Sequence, residues 1–129
     1  MLFRSTESGI PRRINRERLE ADRLAEQLTG PTNRGRIFRE YLRRLQIRRG
    51  CGAFSPKEAQ EILDAGSHVV ALRRGSGRSL WVLINVSGDV QDCRIPGMAG
   101  RDLLAEGCPE VRDEISLGPW QAAWINEEC

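Results

Sequence analysis

The sequence predicts an α+β fold, in which two N-terminal helices precede a small antiparallel β-sheet or sandwich domain. Apolar residues recur at helical spacing before residue 50, whereas from about residue 59 they form short runs separated by turn residues. The pattern changes at Gly50-Cys51-Gly52. We therefore expect a helical part over residues 1–52 and an antiparallel β-domain over residues 53–129.

Two helices are expected in the first part. Asn15 is a suitable N-cap for the first helix, whose leucines recur at helical spacing until Gly30-Pro31 ends it. Thr32-Asn33 offers the next cap, and a second helix of roughly 15 residues follows, with arginines on its other faces. Its apolar residues, called the apolar stripe below, are Ile37, Phe38, Tyr41, Leu42 and Leu45.

Short strands are expected in the second part. The turn Arg74-Gly75-Ser76-Gly77 joins two apolar runs and predicts a hairpin. The nearly continuous apolar run from Leu80 to Val86 is typical of a central strand covered on both faces. We expect a short connection at residues 101–104 and a bend or sheet edge at Gly118-Pro119, inside the last strand. The predicted strands are residues 59–64, 68–74, 79–87, 91–95 and 114–125.

The charge is distributed unevenly although the net charge is only +2. The first 50 residues contain 13 arginines and 6 acidic residues, and the remainder is acidic on balance. A basic segment raises the possibility of nucleic-acid binding. Acidic residues interleave with the arginines of the first helix, and no aromatic residues alternate with them as single-strand binding would require. Nucleic-acid binding is therefore the least favoured function.

The residue types of a metal or cofactor site are scarce, so we expect neither. Cys51, Cys93, Cys108 and Cys129 show no two-residue spacing, and His68 is the single histidine. No phosphate-binding loop, dinucleotide fingerprint or Gly-x-Ser-x-Gly motif is present. We predict free thiols and no catalytic residue. The absence of a long apolar run or a signal-peptide core favours a cytoplasmic protein without a membrane contact.

One cluster has the donors of a binding site. Pro11-Arg12-Arg13-Ile14-Asn15-Arg16 places three guanidinium groups and an amide around one apolar anchor. Guanidinium groups bind vicinal hydroxyls, carboxylates and phosphates. From the residues alone, a helix entry with surface arginines explains the cluster at least as well.

The stretch LFRSTESGIPRRINRERL resembles a segment of sucrose phosphorylases and related enzymes of glycoside hydrolase family 13, in the α-amylase superfamily. Those enzymes carry an Arg-x-Ile-Asn-Arg motif, which stands here as Arg12 to Arg16. The stretch RIFREYLRRLQIRRGCGAF resembles the last barrel helix and its exit. The closing LGPWQAAWI is similar to the family ending Leu-x-Pro-Tyr-x-x-x-Trp-Leu.

The resemblance implies that residues 1–52 come from the end of a (β/α)8 barrel and that residues 53–129 form the C-terminal β-domain. It implies retaining transfer of a glucosyl unit between an α-glucoside and phosphate. Arg12 would bind sugar hydroxyls, with Asn15 and Arg16 supporting the loop. The catalytic Asp, Glu and Asp of the family lie upstream of this segment, so the resemblance predicts a non-catalytic C-terminal fragment.

Two departures from the family bear on these expectations. Arg13 stands where some relatives have an acidic residue, which leaves the substrate open. Gly50-Cys51-Gly52 replaces the usual helix exit and predicts a looser joint with the β-domain.

Partners follow from the apolar stripe, which predicts docking to a barrel domain or self-association. The alternative function is a stand-alone carbohydrate- or protein-binding β-module with an aromatic surface. Trp81, Trp120 and Trp124 are its candidate residues. We expect Trp81 to pack in the core, and for Trp120 and Trp124 the sequence favours core packing over the alternative that one of them is exposed.

Overall fold

The computed structural model describes residues 20–75 and 79–127. These residues belong to two compact units, one ending at Leu42 and the other beginning at Arg43. None of the helices in the described part of the chain combines the length and the apolar character needed to cross a membrane.

The first unit contains helix α1 (Ala21–Thr29) and the start of helix α2 (Asn33–Gly50). Gly30 ends α1 with an extended backbone (ψ 171°), because proline at the next position disfavours a helical conformation. The Oγ1 atom of Thr32 accepts a hydrogen bond from the Gly35 N–H at 3.0 Å, so Thr32 caps α2 as predicted. The predicted N-cap Asn15 lies outside the described residues.

Gly35 allows the turn between the two helices to be tight. A Cβ atom at this position would lie 2.6 Å from the Gly30 carbonyl oxygen and 2.8 Å from that of Leu28. The Arg39 guanidinium donates to the Leu28 carbonyl at 3.1 Å. A cation at the C-terminus of α1 also interacts favourably with the helix dipole.

The second unit contains the end of α2, a short 3₁₀ turn (Gly52–Phe54) and a six-stranded antiparallel sheet. The strand order is β1-β2-β3-β6-β4-β5. The predicted hairpin is present, since β2 pairs with β3 and Arg74 lies opposite Leu80. β3 lies between β2 and β6, as expected for a central strand. The strands are β1 (Gln60–Leu63), β2 (Val69–Arg74), β3 (Leu80–Asn85), β4 (Gln91–Asp102), β5 (Glu110–Leu117) and β6 (Ala122–Asn126).

The predicted connection at residues 101–104 is wrong in its first half. Strand β4 continues past residue 95 to Asp102, and its last two residues pair with β6. A bulge between Arg94 and Ala99 shifts the register with β5 and interrupts the apolar alternation used for the prediction. The Asp113 carboxylate accepts the Gly97 N–H at 2.6 Å within this irregular stretch.

The predicted last strand, residues 114–125, is two strands. Gly118 to Gln121 form a turn between β5 and β6, and β4 lies between these strands in the sheet. Pro119 cannot donate a ladder hydrogen bond, so the chain leaves the sheet there. The prediction of a bend at this site is confirmed, but the bend separates two strands.

The sheet has a core on each face. Trp81 and Leu83 belong to the larger core, together with Ile125 and Met98. Leu80 and Val82 alternate with them along β3 and pack against Ala53 in the smaller core. Trp81 is 4% exposed, as predicted for a core residue.

Trp124 and Trp120 depart from the predicted core packing, and Trp120 departs from it further. Trp124 is half-buried, and its ring centroid lies 4.8 Å from that of Phe54. Trp120 is 70% exposed, so its predicted core packing is wrong. The turn at residues 118–121 carries its side chain away from both cores.

Candidate functional site

The predicted sugar-binding residues Arg12, Asn15 and Arg16 lie outside the described residues. Their role therefore stays a prediction. Two features of the described residues bear on function: the apolar stripe of α2 and the groove beside the end of that helix.

The apolar stripe is exposed. In the first unit, Ile37 is 61% and Tyr41 is 64% exposed, and Phe38 and Leu42 are each 43% exposed. Leu45, in the second unit, continues the same helical spacing and is 43% exposed. Burying a side chain of this kind contributes about 1.5–3 kcal/mol. A helix with this much exposed apolar surface is typical of a segment that packs against another protein surface.

The last turns of α2 are fixed to the sheet within the second unit. The Arg43 guanidinium donates to the carbonyl oxygens of Leu103 at 3.4 Å and Leu104 at 3.0 Å. At the helix end, the Asn126 amide contacts the Cys51 Sγ atom at 3.3 Å. Side chains from both sides of Gly50-Cys51-Gly52 therefore connect the helix end to the sheet, and the expectation of a looser joint than in relatives stays a prediction.

The 3₁₀ turn is attached to the sheet as well. The Arg74 guanidinium donates to the carbonyl oxygens of Ala53 at 3.2 Å and Ser55 at 3.1 Å. The guanidinium of Arg48 lies 5.9 Å from the centre of the Phe54 ring, within the range of a cation–π contact. The helix end, the turn and the sheet thus form one connected unit.

An open groove of about 450 Å³ lies beside this joint. Its lining combines the guanidinium groups of Arg48 and Arg49 with apolar surface from Leu45 and Phe54. No carboxylate or imidazole is among its lining residues, and Cys51 is the one lining residue with a titratable thiol. The two guanidinium groups give the groove a positive charge beside an apolar wall.

Two other groups in the described residues, the Asp102 carboxylate and the Cys93 thiol, have surroundings that suit a structural role. The buried Asp102 carboxylate accepts the backbone N–H groups of Leu104 at 3.0 Å and Trp124 at 3.1 Å. Burial raises the pKa of the Cys93 thiol, and the neighbouring Asp92 charge raises it further, so the reactive thiolate is disfavoured. Residues 20–75 and 79–127 contain no group of three or more His, Cys, Asp or Glu placed to hold a metal ion.

Sequence reasoning missed the exposed ring of Trp120. Its apolar character and its spacing from Trp124 suggested a core residue. The signal that predicted its exposure was the preceding Gly118-Pro119, which is typical of a turn that leaves the sheet.

No protein-family model matches the chain. Curated relatives cover nearly all of it. It is 33% identical over 92% of its length to a glucosylglycerate phosphorylase from Spirochaeta thermophila. It is 32% identical over 91% of its length to one from Escherichia coli and 34% identical over 92% to one from Allomeiothermus silvanus. The chain spans only 20–23% of the length of these relatives.

Solved structures with the same fold include a trehalulose synthase, MutB, and an isomaltulose synthase. A mutant of MutB from crystals soaked with trehalulose matches 79% of this chain and 19% of that one, with a TM-score of 0.62 and 21% identity. An isomaltulose synthase mutant from Erwinia rhapontici in complex with D-glucose matches 70% of this chain and 17% of that one, with a TM-score of 0.60 and 21% identity. Together with the relatives, these matches confirm the predicted resemblance. The chain belongs to the sucrose phosphorylase-like enzymes of glycoside hydrolase family 13, in the α-amylase superfamily, and corresponds to their C-terminal segment.

Proposed function

We propose that this chain is the non-catalytic C-terminal part of a glucosyl-transferring enzyme that acts on α-glucosides, and that the catalytic carboxylates are on a barrel that it completes. The observation that carries the proposal is the identity of 32–34% with glucosylglycerate phosphorylases, of which the chain spans about a fifth. The exposed apolar stripe supports it, because a barrel that covers Ile37 and Tyr41 would remove a large apolar surface from water.

The relatives' name makes glucosylglycerate the first substrate to test. In its phosphorolysis, the bond from the anomeric carbon to the glycerate oxygen breaks, and a bond from that carbon to a phosphate oxygen forms. The leaving oxygen takes a proton. In this proposal Arg12 donates hydrogen bonds to the hydroxyl groups of the glucosyl unit, while Asn15 and Arg16 hold the loop.

A chimera tests the proposal. The matching segment of the Escherichia coli glucosylglycerate phosphorylase is replaced by this chain, and glucose 1-phosphate and free glucose are measured after addition of glucosylglycerate and phosphate. We expect phosphorolysis by the chimera and only background with this chain alone. Turnover by the chain alone, or a folded chimera without activity on any α-glucoside, would contradict the proposal.

Two variants of the same chimera separate sugar binding from mere folding. Arg12→Ala should lower kcat/KM by about 10- to 100-fold, because a charged hydrogen bond to the substrate is lost. Arg13→Ala is the matched control and should change kcat/KM by no more than about twofold. Equal losses in the two variants would remove the specific role of Arg12.

A further inference from the structure

Trp120 is exposed to a degree that no packing contact accounts for. It lies in the turn between β5 and β6 and is 70% exposed, more than Tyr41 at 64%. Phe38 is 43% exposed, and the remaining described aromatic side chains are half-buried or buried. A large flat ring held out in water presents apolar surface that a ligand can cover.

The backbone of Trp120 is also strained. Its φ angle is +59°, in the left-handed region that bulky side chains rarely adopt. Glycine would take this conformation without a steric penalty. Strain of this kind persists where the surrounding structure imposes it, and it is concentrated at binding sites.

The turn is held rigidly by its neighbours. The Trp120 N–H donates to the Ser87 carbonyl at 3.1 Å, which ties the turn to the loop after β3. The amide nitrogen of Asn85, a buried side chain, donates to the carbonyl oxygens of Gly118 at 2.8 Å and Asp89 at 2.7 Å. Because these hydrogen bonds already fix the backbone of the turn, little backbone entropy is lost when the Trp120 ring binds a ligand.

The geometry points to a carbohydrate-binding site at Trp120, where the indole ring stacks on the pyranose ring of an α-glucoside. One face of a pyranose is lined by C–H groups and fits a flat aromatic surface, while its hydroxyl groups need polar partners. Asp89 and Gln121 are exposed in the two segments that these hydrogen bonds join, and they offer a carboxylate and an amide nitrogen. The Gln121 amide oxygen accepts the Gly118 N–H at 2.8 Å, and the Ser87 hydroxyl donates to the Asn85 amide oxygen at 2.8 Å, so both hold the turn and loop. This site does not depend on the proposed phosphorolysis.

A sugar fits these observations better than a protein. A stable protein interface buries about 800 Å² on each side, which requires a continuous surface. Here the single ring is flanked by polar residues, with Val86 and Val90 exposed at the two ends of the neighbouring loop. Self-association through this patch is the competing outcome, and the experiment below detects it.

The test is a titration of the ¹⁵N-labelled full chain with maltotriose, followed through the indole N–H signals of the three tryptophans. A Trp120→Phe variant assigns the Trp120 signal. We expect a saturable shift confined to Trp120, with a dissociation constant in the millimolar range, and no such shift with myo-inositol. No shift of Trp120, an equal shift of Trp120 with myo-inositol, or a shift of the Trp120 signal with protein concentration in the absence of sugar would overturn the proposal.

Trp120→Gly adds a readout that distinguishes binding from structure. Because glycine relieves the strain, the melting temperature should stay the same or rise by roughly 3 °C, while maltotriose affinity falls at least tenfold. Ile62→Ala removes another exposed apolar side chain, which is 80% exposed and lies outside the apolar stripe, and should leave the affinity unchanged within about twofold. A large fall in melting temperature for Trp120→Gly, or unchanged affinity, would show that the ring is structural.

Discussion

At the scale of single residues, burial determines the chemistry of the Cys93 side chain. It is 3% exposed in β4 and belongs to the larger core. The pKa of its thiol is raised by burial first and by the Asp92 charge second. A thiol in this environment stays neutral and packs as a small apolar group. Its role in this protein is therefore to stabilise the sheet.

The raised pKa predicts a loss of stability at alkaline pH. The unfolded chain ionises Cys93 near the ordinary value of 9.0, whereas the folded chain holds the proton to higher pH. The stabilising contribution is thus complete below about pH 9 and is lost as the pH rises through the folded pKa. Urea unfolding of the wild type and Cys93→Ala between pH 7 and pH 10.5 should show a steeper alkaline loss for the wild type. Parallel curves would contradict this assignment.

Trp81 and Trp120 show how far the local sequence predicts the burial of a tryptophan. Trp81 lies in a continuous apolar run, and its burial follows from that run. Trp120 has the same chemistry but follows Gly118-Pro119, and its exposure depends on the path of the turn. Local composition predicted burial at both positions and was right only at Trp81, because a turn can direct its side chain away from the core.

At the scale of elements, caps and turns set the ends of the two helices. Gly30-Pro31 ends α1 and Thr32 starts α2, and both features were recognisable in the sequence. Backbone groups at helix ends need partners, so only certain residue types satisfy them. The strand bounds were harder to predict, because the bulge in β4 and the crossing of β4 between β5 and β6 depend on distant pairing.

The cap at Thr32 gives a prediction for α2. Thr32→Ala should destabilise the helix by about 1 kcal/mol, since the Gly35 N–H loses its acceptor. Far-ultraviolet circular dichroism during urea unfolding measures this change. The matched control is Thr29→Ala, because the Thr29 hydroxyl only donates back to the Ala25 carbonyl inside α1. An equal or larger loss in the control would contradict the capping role.

At the scale of the whole molecule, the exposed apolar stripe is the basis for the proposed partners. Its residues are exposed in the described structure, yet their type is that of a buried helix face. In the proposed enzyme a barrel covers them. In the absence of the barrel, a second copy of the chain supplies an apolar surface that can cover the stripe.

Self-association of the isolated chain is therefore expected. Sedimentation velocity should detect dimers or larger species at micromolar concentration, and Ile37→Lys should return the chain to monomers because it places a charge in the stripe. Ile62→Lys is the matched control, since Ile62 is 80% exposed in the second unit and lies outside the stripe. A monomeric wild type, or the same effect from both variants, would contradict the expectation.

The sequence by itself determined the α+β order, both helices, the central strand and the family resemblance. These properties depend on local periodicity, on caps and turns, and on motif order, all of which are written along the chain. Only the tertiary structure decided that β4 separates β5 from β6, that Arg43 and Arg74 fasten the helix end and the 3₁₀ turn, and that Trp120 is exposed. These properties arise from contacts between residues far apart in the sequence, which local patterns do not specify.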